Sequence, residues 1–132
     1  MGRIGRAALA YFAAVFAVGF VLGVVREMVV RPRLGATAAI ALEAPAMLLA
    51  TLLIACRVVR HFDLAAGGAR LRTGLVAFAL LMAAECAGSI ALRGMTPSAW
   101  LAHFAEPDGV LSLALFLAFA AMPWAAGKAC FR

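Results

Sequence analysis

Four long apolar runs alternate with short charged segments along this chain. The runs cover Ala7–Val25, Gly35–Cys56, Thr73–Leu92 and Gly109–Gly127. A helix rises about 1.5 Å per residue and the hydrocarbon core of a bilayer is about 30 Å thick, so each run is long enough to span a membrane as a helix. The pattern predicts an all-α polytopic membrane protein, a four-transmembrane-helix bundle that forms a single domain over residues 1–132.

Prolines refine the boundaries of these helices. The expected helices cover about 7–30, 35–57, 73–93 and 109–127. The first is expected to end near Val30, because Pro32 disfavours helix at the residue before it and leaves Arg31–Gly35 as a tight turn. Pro45 and Pro123 lie inside the second and fourth runs, where each removes a backbone hydrogen bond and predicts a kink.

The segment between the third and fourth runs has a helical pattern of its own. Thr96 is a typical N-cap, Pro97 suits the first helical position, and Trp100 and Phe104 recur at helical spacing. We expect a short amphipathic helix over about 96–106 that lies in the outer membrane interface. The expected interfacial side chains are Trp100, His103 and Trp124.

Composition and charge support membrane insertion and suggest an orientation. With 67% hydrophobic residues and a mean hydropathy of +1.05, the chain has too little polar surface for a soluble globule. Its Lys and Arg residues divide eight to four between the two sides of the predicted bundle. The side with eight holds Arg3, Arg6, Arg57, Arg60, Arg70, Arg72, Lys128 and Arg132; the other holds Arg26, Arg31, Arg33 and Arg93. This bias predicts that both termini are cytoplasmic.

The basic segment Arg57–Arg72 is expected to meet anionic lipid headgroups. Binding of nucleic acid is not expected, because Phe62 is the segment's one aromatic residue available for stacking on bases. The three cysteines, Cys56, Cys86 and Cys130, form no CxxC pair. Since Cys56 and Cys130 fall on the predicted cytoplasmic side, both are expected to be reduced thiols and no disulfide is predicted.

Three charged side chains are expected to form a polar cluster inside the membrane. Glu43 and Glu85 both lie roughly 10–12 Å below the outer surface, by counting residues from the helix ends. Arg26 stands near the outer end of the first helix. Because side chains tilt toward the N-terminus of their helix, Arg26 leans inward while Glu43 leans outward, and the two are predicted to pair.

Small residues share the helix faces of these charges and are expected to let the helices approach closely. The expected packing residues are Gly19, Gly23, Ala39, Ala46 and Gly88. The GxxxG pair of Gly19 and Gly23 could instead mediate dimerisation. A charge at this depth must be paired, neutral or hydrated. The cluster therefore serves either to lock helix packing or to bind an ion or ligand.

Neither catalysis nor a cofactor is predicted. Ser89 and Ser112 have no nearby base, and no glycine-rich phosphate loop occurs. Five side chains offer metal-ligating atoms, but no HxxxH or ExxH spacing preorganises them. These side chains are Glu43, Glu85, His103, Glu106 and Asp108. No catalytic, cofactor or metal residue is assigned.

Short motifs of the first three runs resemble a group of small four-span bacterial inner-membrane proteins. They are Gly23-Val24-Val25-Arg26 through Arg31-Pro32-Arg33-Leu34-Gly35, Leu42-Glu43-Ala44-Pro45, and Ala84-Glu85. The resemblance would cover most of the chain. It implies the four-span topology and a location in the bacterial inner membrane, and it supports Arg26, Glu43 and Glu85 as the polar residues of interest. It implies no activity.

Two functions fit these features. The first is a non-enzymatic accessory or assembly subunit that packs against a larger membrane complex, because small and flat helix faces suit helix association. The alternative is an oligomeric transporter or ion- or proton-coupled carrier that uses Glu43 and Glu85. The expected partners are the lipid bilayer together with another membrane protein or further copies of this chain.

Overall fold

The structure is a computed structural model that describes residues 2–130, apart from the side chains of Asp108 and Ala129. The described chain is helical with short connections and contains no strand. Its elements are α1 (Arg3–Val25), a π-helical turn (Arg26–Val30), α2 (Arg31–Leu34), α3 (Ala36–His61), α4 (Gly67–Arg93), α5 (Pro97–His103) and α6 (Pro107–Cys130). Four helical stretches, Arg3–Leu34, α3, α4 and Gly109–Lys128, are long and apolar enough to cross a membrane. The predicted all-α class is confirmed.

The first helix continues beyond the point where Pro32 was expected to end it. The Arg31 amide donates to the carbonyl of Arg26, five residues back, so the backbone widens into a π-helical turn. Pro32 then falls in the first turn of α2, which follows the π-helical turn without a break. The prediction of a tight turn over Arg31–Gly35 is wrong. The reversal is confined to Gly35, whose φ of 85° is accessible to glycine at no steric cost.

The four long helices form a square in which α1 packs on α3 and α4, and α6 packs on the same two helices. Consecutive helices α3 and α4 therefore face each other across a diagonal. Helices α3 and α6 are parallel neighbours, so their C-terminal ends meet. We call the end that holds Arg3, the α3–α4 loop and Lys128 the terminal end, and the part beside it the terminal half. The opposite half adjoins Gly35 and α5.

The apolar core lies in the terminal half. Its buried members are Ala7, Ala8, Tyr11, Val15, Ala55, Val58, Val59, Leu64, Ala77, Leu81, Phe119 and Ala126. Tyr11 spans the diagonal between α1 and α6: its hydroxyl donates to the Phe119 carbonyl at 2.6 Å, and the two rings stack with centroids 4.5 Å apart. In the opposite half, the buried residues among those described are Ala39, Ile40, Ser89 and Gly109.

The α3–α4 loop closes the terminal end. Leu64 is 1% exposed and covers the core at the terminal end. Asp63 has a left-handed backbone conformation, with a φ of 51°. The Arg70 guanidinium donates to the carbonyls of Leu64 and Ala65 at 3.2 and 2.7 Å. Arg70 passes directly over Gly127, where any side chain would overlap it. These contacts of Arg70 could not be predicted from the sequence, because its partners are backbone atoms.

Helices α4 and α6 make a close backbone contact in the terminal half. A Cβ on Gly74 would overlap the carbonyl oxygen of Ala120 and lie 3.4 Å from Cδ of Pro123. Pro123 is fully buried within α6, which is helical on both sides of it, as α3 is around Pro45. Helix contact in the terminal half therefore depends on glycine at position 74.

Helix α5 has the predicted start. The Thr96 hydroxyl accepts a hydrogen bond from the Ala99 amide at 3.1 Å, and Pro97 occupies the first turn. Trp100 packs edge-on against Phe104, which in turn meets Phe116 of α6, with ring centroids 5.1 and 6.4 Å apart. Aromatic contacts thus fasten this segment to the bundle. Its position at a membrane interface stays a prediction.

Candidate functional site

An ion pair joins the first helix to α3 in the opposite half. Nη1 of Arg26, in the π-helical turn, donates to Oε2 of Glu43 at 2.6 Å. The two side chains are 23% and 12% exposed. The pairing expected from their converging tilts is therefore present in the structure. A short charge-assisted hydrogen bond of this kind offsets part of the cost of partly burying both charges.

Glu27 extends this pair into a chain of alternating charges. Its Oε1 lies 3.6 Å from Nε of Arg26, and its Oε2 accepts from Nη1 of Arg31 at 2.8 Å. The four side chains sum to zero charge, so this face needs no external counter-ion. Sequence reasoning did not assign Glu27 a role, although its four-residue spacing from Arg31 is the usual signal for a helical ion pair.

The predicted packing residues divide into two groups. Gly19 faces α3, because a Cβ there would lie 3.6 Å from Cε of Met47, and Ala39 is buried. Gly23 faces Nη2 of Arg26 at the same distance and leaves room for that side chain. The Gly19 contact favours packing within one chain, and the Gly23 contact does not bear on dimerisation. Ala46 and Gly88, in contrast, are not at a helix contact: Ala46 is exposed, and a Cβ on Gly88 would meet no atom within 4 Å.

Glu85 remains apart from the pair. Its side chain on α4 is half-buried, and within residues 2–130 no hydrogen-bond or ion-pair partner contacts its carboxylate. Arg93 and Arg26 are the cations close enough to act on it electrostatically. The structure thus joins two members of the predicted cluster and leaves the third with a carboxylate that has no direct partner.

The other predicted polar and interfacial residues do not converge. Nδ1 of His103 lies 3.2 Å from Oε2 of Glu106 at the end of α5, and the side chain of Asp108 lies outside the described residues. In the part of the chain that the structure describes, no three His, Cys, Asp or Glu side chains are close enough to hold a metal ion. Trp124 lies at the terminal end, where Nζ of Lys128 sits 3.8 Å from its ring centroid.

A disulfide joins Cys56 to Cys130, so the prediction of two separate reduced thiols is wrong for the structure. The Cα atoms are 5.8 Å apart, within the usual range for a disulfide. Arg60 of α3 also donates to the Cys130 carbonyl at 3.1 Å. The sequence could not reveal this pair, because 74 residues separate the cysteines and only the parallel packing of α3 and α6 brings them together. Cys86 is free.

Helix α4 carries an exposed row of alanines that sequence reasoning did not single out. We call it the alanine strip; it consists of Ala79, Ala83, Ala87 and Ala91. Their four-residue spacing places them along one side of the helix. All four are exposed, so no helix of the described chain packs over them. The spacing itself was the available signal, but exposure could not be read without knowing which helices neighbour α4.

No known protein family, no curated protein and no solved structure matches this chain. Function is therefore inferred from the geometry of the bundle and its charges.

Proposed function

We propose that this protein is a non-enzymatic accessory or assembly subunit of a larger complex in the bacterial inner membrane. The observation that carries the proposal is the alanine strip, a flat exposed face on one of four candidate membrane spans. It supports a role in which another membrane protein lays a helix along α4.

In lipid there is little hydrophobic drive for helix association, because acyl chains solvate leucine as well as protein does. Association depends on close backbone approach, and rows of small residues permit it. Other exposed positions on the bundle carry large side chains that suit lipid, such as Phe20 and Leu117, which are 58% and 55% exposed. The alanine strip differs from these surfaces and suits a helix partner.

The packing of the opposite half also favours a partner. The strip extends into this half, where few side chains are buried and where Gly88 faces open space. The charges of Arg26, Glu27, Arg31 and Glu43 compensate one another. A partner helix that docks beside these four side chains would therefore meet charges that are already paired, and the Glu85 carboxylate on α4 is the acidic group in this half that has no direct partner.

Gentle extraction from the native membrane, followed by mass measurement of the intact complex, tests this proposal. We expect a stoichiometric larger partner that is lost in Ala87→Leu, since leucine would hold the partner's backbone away. Ala114→Leu is the matched control, because Ala114 is an exposed alanine at similar depth on α6, flanked by the exposed large residues Val110 and Leu117. Recovery of the chain alone, or equal loss in both variants, would contradict the proposal.

The absence of a direct partner for Glu85 favours a second candidate, an oligomeric ion- or proton-coupled carrier. An intramembrane carboxylate that no cation contacts directly suits a proton or cation site. Four helices enclose little volume, so this function would require a dimer or larger assembly. Cation-dependent flux in proteoliposomes that Glu85→Gln abolishes, together with purification as a homo-oligomer, would favour the carrier.

We further propose that both termini are cytoplasmic, on the basis of the eight-to-four distribution of Lys and Arg. Single cysteines introduced at Gly68 and Ala105 into a chain without its natural cysteines should label from opposite sides of the membrane. Labelling of Gly68→Cys from outside would reverse the orientation.

A further inference from the structure

A shallow groove runs between α1 and α3 from the terminal end toward the middle of the bundle. It is lined by Ala10, Ala14, Ile54, Arg57, Val58, His61 and Phe62. The alanines of α1 form its floor on one side, because their short side chains leave space that a larger residue would fill. Ile54 and Val58 of α3 form an apolar wall on the other side. The part of the groove toward the middle of the bundle is therefore apolar.

Positive charge gathers at the mouth of the groove. Arg57 and His61 are one turn apart on α3, and both are exposed. Arg6 is also exposed and lies one turn before Ala10, on the same side of α1. Since α1 and α3 are antiparallel, Arg6 and Arg57 lie at nearly the same height, about 5 Å from the terminal end of their helices.

Arg6 and Arg57 have no acidic partner within the described chain. Every ion pair between described residues lies in the opposite half or on α5 and its end. Asp63 is the one acidic residue at the terminal end, and it lines a different depression, beside Arg3 and Leu64. The mouth of the groove therefore presents uncompensated positive charge directly above an apolar slot.

We infer that this groove binds an anionic phospholipid of the surrounding bilayer, with one acyl chain between α1 and α3 and its phosphate at Arg57 and His61. Arg6 contributes to the same phosphate site. A soluble anion would use only the charges and leave the slot unfilled, whereas a lipid uses both parts of the surface. The inference needs the chain to lie in a membrane, but it does not depend on the accessory function.

Native mass spectrometry of the detergent-solubilised protein tests the site with phosphatidylglycerol and phosphatidylethanolamine of identical acyl chains. We expect phosphatidylglycerol to bind more tightly, and Arg57→Gln to weaken it about fivefold, since an Arg near the headgroups contributes about 1 kcal/mol. Arg72→Gln is the control, because Arg72 is an exposed cation at the same end of the bundle but does not line the groove. Equal binding of the two lipids, or equal loss in the two variants, would overturn the inference.

The acyl-chain part of the site is tested separately by filling the slot. Ala14→Leu should reduce phosphatidylglycerol binding without changing any charge. Ala13→Leu makes the same substitution at an exposed neighbour that does not line the groove, and it should leave binding unchanged. Full binding in Ala14→Leu would show that the lipid is held by its headgroup alone and would overturn the assignment of the groove.

Discussion

In the terminal half, the rings of Tyr11 and Phe119 and the side chain of Leu64 fill the space between the helices. In the opposite half, the principal link between the first helix and α3 is instead the ion pair of Arg26 and Glu43. The terminal half is close-packed, and its cations face outward without acidic partners. The opposite half has few buried side chains; four of its charged side chains pair within the chain, and Glu85 has no direct partner among the described residues. Side-chain packing thus links the helices in the terminal half, and electrostatic attraction links the first helix to α3 in the opposite half.

This difference suggests a division of roles. Close packing in the terminal half holds the four helices together, because it brings the backbones of α4 and α6 into contact at Gly74 and seats the Arg70 side chain directly on Gly127. An ion pair fixes the orientation of two helices but leaves their remaining faces open. The opposite half is therefore the part in which a further helix, or an ion, has room to bind.

The largest expected effect comes from disturbing the close contact in the terminal half. Gly74→Ala should destabilise the bundle by about 3 kcal/mol, because the methyl group would meet the Ala120 carbonyl and neither helix can move without losing core contacts. Gly88→Ala on the same helix is the matched change in the opposite half, and it should be neutral or slightly stabilising, since the site is open. Equilibrium unfolding in mixed micelles measures both; equal effects would mean that the halves do not differ in packing.

The disulfide should contribute the next largest effect. In purified protein with the disulfide formed, breaking Cys56–Cys130 in the double variant Cys56→Ala, Cys130→Ala should lower stability by about 2 kcal/mol, near the low end for disulfides. Alkylation of thiols in intact membranes, before and after a reductant, detects the bond directly. Full alkylation without reductant would show that the pair is reduced in cells, as the Lys and Arg bias toward the cytoplasm predicts.

The ion pair should contribute less than either feature of the terminal half. Glu43→Gln is expected to cost about 1–2 kcal/mol, because it leaves the Arg26 guanidinium without its closest carboxylate. In a double-mutant cycle, Arg26→Gln combined with Glu43→Gln should recover about 1 kcal/mol of the summed losses. Purely additive losses would show that Arg26 and Glu43 do not stabilise the opposite half as a pair.

The smallest effect is expected at Glu85. Glu85→Gln should change the free energy of unfolding by less than about 0.5 kcal/mol, since the carboxylate has no direct partner among the described residues and the amide is nearly isosteric. A loss as large as that of Glu43→Gln would show that Glu85 belongs to the structural pair after all.

The general architecture followed from the apolar runs, because a bilayer sets the length of any helix that crosses it. The Arg26–Glu43 pair followed from side-chain tilt and depth, which require no knowledge of the wider packing. Gly74, Gly127 and the disulfide could not be predicted, since each depends on which helices are neighbours around the square. The π-helical turn before Pro32 could not be predicted either, because one extra residue in a helical turn does not change the hydrophobic pattern detectably.

The most direct test of the docking role is photocrosslinking in native membranes from a probe residue placed at Ala87. If a partner helix lies on the alanine strip, we expect one discrete protein adduct of a distinct partner from Ala87, and only lipid adducts from the same probe at Ala114. The Ala83→Leu substitution should remove the protein adduct while leaving the chain folded. Only lipid adducts at both positions, or an adduct that Ala83→Leu does not change, would contradict a partner helix on the alanine strip.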